Sequence, residues 1–327
     1  MTSTLLTPPL VAPAGSRFRA VLRTVAMVSC LPYLAIKTAW IAGSHVGMPE
    51  DSTLLDHRGA MIAANSASLL LDSCVIVLAL LLTRAWGRRV PAWLLGLPMW
   101  VATGLLAPVM TGYPLQLLVH AVHGSAAPAA SGEPFLHAWV FGVVYTGFIL
   151  QGLALGSLFV LYAGDRWGHL WRGRMRELPV RTVTGSVQRG AAAAAALFAL
   201  LPGVMHLLWA CGVRAGLSSA RVADRTADFY ALEAVYAFFA AVTVAGVLLL
   251  AFRRGSRVPV KVPLALAWVG SGALACWGGW LLAASLPGSG DPGKLPTQLM
   301  SLTYAVQMMV GMLVVVVGAC FLAERDT

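Results

Sequence analysis

Runs of mostly apolar residues, each roughly 20 residues or more and so long enough to cross a hydrocarbon core of ~30 Å, recur along the whole of this chain. Bracketed at about 21–41, 61–83, 91–110, 137–163, 190–213, 229–252, 262–286 and 299–322, they predict eight spans. Hydrocarbon offers no water, so a spanning segment must satisfy its own backbone N–H and C=O groups. Barrel strands would be short and alternating in polarity, whereas these runs are long and continuous, which makes them helices. The expected class is all-α, a polytopic membrane protein with eight transmembrane helices. Composition agrees: charged residues make up 11% of the chain, against about 25% in soluble domains.

The net charge of +10 does not point to nucleic acid, because no dense basic stripe with interleaved aromatics exists. The arginines sit instead in short connections between apolar runs. With the N-terminus inside, the inner segments hold 17 Lys/Arg and the outer loops five, while acidic residues number four inside and seven outside. By the positive-inside rule this predicts a bacterial plasma-membrane protein with both termini cytoplasmic. Residues 1–16 are small, polar and Pro-containing and read as a disordered tail. The first apolar stretch is long, contains Lys37 and lacks a clear cleavage site, which disfavours a cleaved signal peptide. Cys30, Cys74, Cys211, Cys276 and Cys320 form no C-x-x-C and read as small packing residues.

The chain also repeats itself. Trp100-Val-Ala-Thr-Gly104-Leu-Leu-Ala107 returns as Trp268-Val-Gly-Ser-Gly272-Ala-Leu-Ala275, and the same register aligns Gly87–Pro91 with Gly255–Pro259. Tyr145–Gly152 and Tyr304–Gly311 share one spacing and lead in register to Asp165-Arg166 and Glu324-Arg325. This self-similarity predicts two four-helix repeats, residues 17–166 and 189–327, joined by a basic cytoplasmic linker over 167–188. An even number of helices per repeat makes both enter the membrane in the same direction, so the expected relation is a pseudo-twofold axis along the membrane normal.

Helices 1 and 5 supply the third match. Leu31-Pro32 precedes Lys37-x-x-Trp40-x-x-Gly43, and Leu201-Pro202 precedes His206-x-x-Trp209-x-x-Gly212. At 3.6 residues per turn the three motif positions fall close to one face. As packing, Trp anchors at the interface, Gly closes the helix and Lys37 snorkels. As chemistry, two basic groups face each other across the axis and offer an anion or headgroup site. The H-x-x-W-x-x-G pattern resembles the first helix of uncharacterised bacterial four-helix membrane domains, here carried twice, with Lys37 standing where the pattern has His. The resemblance implies a tandem architecture and no particular reaction.

Two acids fall inside predicted spans, Asp72 and Glu233, and the repeat register sets Asn65 opposite Glu233 and Ala240 opposite Asp72. Intramembrane charges normally face the bundle interior and are paired. Lys37, Asn65, Asp72, His206 and Glu233 are therefore the candidate ligand-binding residues. A helix-pinning hydrogen bond is the bland alternative for the acids. His120, His123 and His137 lie near one surface, but no cysteine or nearby carboxylate completes a ligand set, so no metal or cofactor is expected. Gly147, Gly152, Gly156, Gly311 and Gly318 read as close-packing surfaces. No nucleotide-binding loop, H-E-x-x-H or G-x-S-x-G occurs. The readings are a binder or carrier of a small molecule or lipid in a polar cavity between the repeats, a non-catalytic accessory or immunity subunit of a membrane assembly, and a membrane-embedded enzyme. The partners to expect are the lipid bilayer, a small-molecule or lipid ligand and a membrane protein, with no nucleic acid.

Overall fold

The computed structural model describes residues 14–50, 58–123, 136–179, 182–285 and 295–326. Its helices in chain order are α1 (Ala14–Val28), α2 (Leu31–Ile41), α3 (Arg58–Thr83), α4 (Ala92–His123), α5 (Ala138–Trp167), α6 (Gly185–Ala210), α7 (Ser219–Ala223), α8 (Ala227–Phe252), α9 (Lys261–Ser285) and α10 (Gln298–Asp326). Among the described residues no strand occurs beyond an isolated bridge between Arg174 and Pro259. Counting α1 and α2 as one span, 8 segments are long and apolar enough to cross a membrane. The chain is a multi-pass membrane protein.

The first span differs from its expected continuous helix over 21–41. It breaks at Ser29–Cys30, and Pro32 sits in the first turn of α2, where its missing N–H leaves no carbonyl wanting. Pro202 lies instead inside an unbroken α6. The N-terminal tail expected over 1–16 is helical from Ala14, and residues 1–13 lie outside the described part. α4 runs well past its expected end near 110, through Pro98, Pro108 and Pro114. Helix remains the one way to satisfy a backbone in hydrocarbon, and side chains add bonds to carbonyls close to the prolines. Beside Pro108, the Leu105 carbonyl accepts from Trp277 Nε1 at 3.2 Å and the Ala107 carbonyl from Thr111 Oγ1 at 2.9 Å. The basic connection after α5 is folded. Two short 3-10 turns, Gly168–Trp171 and Met175–Glu177, fold Met175 and Leu178 onto Leu250, Val260 and Phe321.

Helices α6, α8, α9 and α10 close into a four-helix unit, each touching its neighbours around the ring. Glycines let the backbones approach. A Cβ on Gly246 would stand 2.4 Å from the Ala267 amide nitrogen, and one on Gly311 2.5 Å from the Ser271 carbonyl oxygen. Lipid tails are as apolar as leucine, so close van der Waals packing of this kind, rather than a hydrophobic drive, holds membrane helices together. The span formed by α1 and α2 packs with α3 and α5, and α5 with α4, around Ala26, Val75, Leu78, Leu95 and Leu158.

The two groups meet where α4 crosses α9. Here the duplicated motif faces its own copy. Trp100 Nε1 donates to Ser271 Oγ at 3.0 Å, and Trp268 Nε1 reaches Thr103 Oγ1 at 3.5 Å. Between the two bonds the helices touch at glycine: a Cβ on Gly104 would lie 2.3 Å from the Gly272 carbonyl oxygen. α4 also leans on α8, and Phe159 of α5 stacks on Trp268 with centroids 5.3 Å apart. Gly104→Leu must push the helices apart and is expected to destabilise the protein by roughly 1–3 kcal/mol. Gly96→Ala, on the same helix with nothing within 4 Å of the added Cβ, should be neutral or slightly stabilising. Denaturant unfolding in mixed micelles compares the two.

Candidate functional site

The local fold around each basic residue is set by its tryptophan. After α2, Gly43 and Gly47 take φ of 95° and 75°; after α6, Gly212 and Gly216 take 89° and 78°. Side chains with a Cβ resist this left-handed region, so both loops need glycine there. Inside each loop the indole closes a ring, with Trp40 Nε1 donating to the Val46 carbonyl at 2.8 Å and Trp209 Nε1 to the Ala215 carbonyl at 2.9 Å. The loop is then tied to the start of the last helix of its group: the His137 amide donates to Gly47 O at 2.9 Å, and Thr297 Oγ1 to Gly216 O at 2.5 Å. Tryptophan here does more than anchor at an interface, since it fixes the turn that follows the basic residue.

One turn before each tryptophan stands the basic side chain. Lys37 Nζ donates to Asn65 Oδ1 at 2.6 Å and lies 5.0 Å from the ring centroids of both Tyr33 and Trp40. His206 Nδ1 lies 2.5 Å from Glu233 Oε2, and its Nε2 lies 2.9 Å from Gln307 Oε1. Both ring nitrogens thus stand within hydrogen-bonding reach of a side-chain oxygen. Trp209 and Tyr236 flank the ring at 5.3 and 5.0 Å, and His206 is 1% exposed. The expected opposition of Asn65 and Glu233 thus has a structural meaning: each is the first partner of the basic residue in its own group of helices.

Asp72 lies two turns along α3 from Asn65 on the same buried stripe. Gln151 of α5 hydrogen-bonds its carboxyl, and Cys30 Sγ in turn contacts Gln151 Oε1 at 3.5 Å. Ala240, its counterpart, packs in an apolar cluster with Ala199 and Phe239. The structure therefore brings Lys37 to Asn65 and His206 to Glu233, and sets Asp72 beside Gln151 and within electrostatic reach of Lys37. Among the described residues no hydrogen bond or ion pair joins the Lys37 group to the His206 group. Gln151 and Gln307 were not singled out from sequence, although each is an amide in the middle of an apolar run, where an unpaired polar group is costly.

The three histidines do not assemble. His120 Nε2 lies 2.9 Å from Asp228 Oδ1, while His137 forms the N-cap of α5. Among the described residues no group of three metal-ligating side chains occurs. All five cysteines are free.

Between the two groups of helices runs a crevice of about 830 Å³, walled by α4, α5, α8 and α9, with Phe18 of α1 at its edge. Met99, Leu106, Met110, Gly156, Phe239 and Leu266 represent its lining, and none of the five candidate residues reaches it. It is an apolar cleft rather than a polar one. Comparison of the chain with protein-family models, with curated proteins and with solved structures gives no match.

Breaking one of these buried pairs should cost more than its hydrogen bond. Glu233→Ala leaves a buried ring nitrogen of His206 unpaired, and the expected loss of stability is about 1–3 kcal/mol. Asn65→Ala, which leaves Lys37 its two rings, should lose nearer ~0.6 kcal/mol, the mean for an interhelical bond in membrane. Unfolding titrations of the two variants test the ranking.

Proposed function

We propose that this chain is a non-catalytic lipid-binding protein of the bacterial plasma membrane, built from two parallel four-helix repeats with both termini cytoplasmic. Its ligand is the hydrocarbon chain of a lipid, held in the crevice between the repeats. The observation that carries this reading is the crevice itself. On α4 its wall runs from Met99 to Thr111 along one face, a length of ~18 Å at 1.5 Å per residue, more than the ~15 Å of hydrocarbon in one leaflet. Its volume of about 830 Å³ is within the ~300–1,000 Å³ of ligand pockets.

The candidate residues Lys37, Asn65, Asp72, His206 and Glu233 act on this reading as pins that hold each repeat in shape. None of them lines the crevice, so a lipid held there meets no acid–base pair. The same pairing suits an accessory subunit, and the two readings part at the crevice, which a carrier or binder fills with lipid and an accessory subunit fills with a partner's helix.

Gly156 gives a clean test, since it lines the crevice and nothing lies within 4 Å of an added Cβ. Gly156→Phe fills the space without straining the fold. Native mass spectrometry of the detergent-purified protein should find lipid retained by the parent chain and several-fold less by the variant, at equal thermal stability. Equal retention by both would remove the crevice as the binding site.

A further inference from the structure

We propose that the turn joining α3 to α4 is a docking surface for anionic phospholipid headgroups, with Arg84 and Arg89 taking the phosphates and Trp86 and Trp93 setting the depth. It lies at the end of the protein where α1 begins and α10 ends, and it does not depend on the crevice.

The turn stands between a span that ends at Thr83 and one that starts at Ala92, which places it at the boundary of the hydrocarbon. Its shape is fixed. Ala85–Arg89 forms a 3-10 turn, so tight that a Cβ on Gly87 would stand 1.8 Å from the Leu81 carbonyl oxygen. α5 pins it from behind: Tyr162 Oη donates to the Gly87 carbonyl at 3.0 Å, and Arg166 Nη2 to the Val90 carbonyl at 2.8 Å. What the pinned turn leaves uncovered is two indoles and two guanidinium groups. Trp86 is 50% exposed and Trp93 69%, and Arg84 and Arg89 are exposed as well.

These two arginines are uncommitted. Asp165, near the end of α5, is bound by Arg19 at 2.6 Å and approached by Arg88 at 3.9 Å. Among the described residues the side chains of Arg84 and Arg89 make no ion pair or hydrogen bond.

The matching stretch in the second group of helices is built differently. There the connection after α5 lies along the turn over Gly255–Pro259, with the Met175 amide donating to the Val258 carbonyl at 3.0 Å and the Val260 amide to the Gly173 carbonyl at 3.1 Å. Val260 is fully buried, whereas Ala92, which holds its place in the first group, is exposed. Arg254 and Lys261 stand where the first group has Trp86 and Trp93. One turn is covered by the chain and lacks indoles; the other is bare and has two.

Tryptophan at a membrane boundary sits among the headgroups, with its ring toward the acyl chains and its N–H toward water. An arginine held at that depth meets lipid phosphate, which its planar fork binds bidentately. A soluble acid would match the guanidinium groups and leave the indoles in water, and a neutral lipid would do the reverse. An anionic phospholipid satisfies both, and each basic side chain near an anionic leaflet adds a factor of about five in affinity.

The test uses the full chain in detergent, offered phosphatidylglycerol and phosphatidylcholine of identical acyl chains together, and native mass spectrometry reads the ratio retained. Identical chains make the crevice indifferent to the choice, so the ratio reports the headgroup alone. Phosphatidylglycerol should be retained several-fold over phosphatidylcholine. Arg84→Gln combined with Arg89→Gln should cut that ratio several-fold, and Trp86→Ala combined with Trp93→Ala should lower it too. Arg254→Gln combined with Arg257→Gln removes the same charge from the covered turn and should leave the ratio nearly unchanged. Each variant is compared in protein that melts as the parent does in phosphatidylcholine; where a double variant melts early, its single variants carry the comparison. The surface is refuted if the parent shows no preference, or if the preference survives loss of Arg84 and Arg89 or of the two tryptophans. Equal losses from the two arginine pairs would also refute it, since the preference would then follow net charge and not this turn.

Discussion

The α4–α9 crossing depends on two glycines meeting with no side chain between them. With Gly104 set against the Gly272 backbone, the helices approach closely enough for each tryptophan to reach over the contact to the hydroxyl on the other helix. A surface that binds its own copy must offer residue i to j and j to i, and Trp-x-x-Ser/Thr-Gly meets that condition within one turn of helix. Both indole N–H groups are thereby satisfied in a place where water is not available. The crossing also decides what remains open. On one side α8 closes against α4, and between α8 and α5 the apolar crevice is left over.

Charge is handled locally, not across that seam. Each group of helices holds one basic and one acidic side chain in its membrane layer, with an amide nearby: Lys37, Asp72, Asn65 and Gln151 in the first, and His206, Glu233 and Gln307 in the second. Isolated, a charge at mid-bilayer costs about 2.5–3.5 kcal/mol on insertion scales, so partners within hydrogen-bonding reach offset much of that cost. The two solutions differ in depth, because the acid sits at position 72 of α3 in one and at the counterpart of position 65 in the other. One consequence is that the crevice between the groups stays free of ionisable side chains, which is why it suits a hydrocarbon chain better than a polar solute.

Much of this architecture is legible in the sequence. Span number follows from run length alone, and register in the sequence pairs Lys37 with His206 and Asn65 with Glu233. What escapes are features decided by tertiary partners. The break after Val28 and the continuity through Pro202 occur at prolines in nearly matching positions, so the sequence pattern does not tell the two apart. The length of α4 is hidden because three prolines look like a stop signal in water and are not one in hydrocarbon. Gln151 and Gln307 are invisible as partners, since nothing in an apolar run says which face an amide presents. Gly47 and Gly216 stand four residues after Gly43 and Gly212 in the sequence and take the positive φ that each loop requires.

The reading of two like repeats meeting through one self-complementary motif is tested most directly by a double-mutant cycle across the seam. Trp100→Phe and Ser271→Ala, alone and together, measure the coupling of residues on opposite helices, with Trp100→Phe and the remote Asn65→Ala as the uncoupled control. The account predicts a coupling energy of about 0.6 kcal/mol or more across the seam and additivity within ~0.5 kcal/mol in the control. Additive behaviour for Trp100 and Ser271, in variants that remain folded, would contradict it.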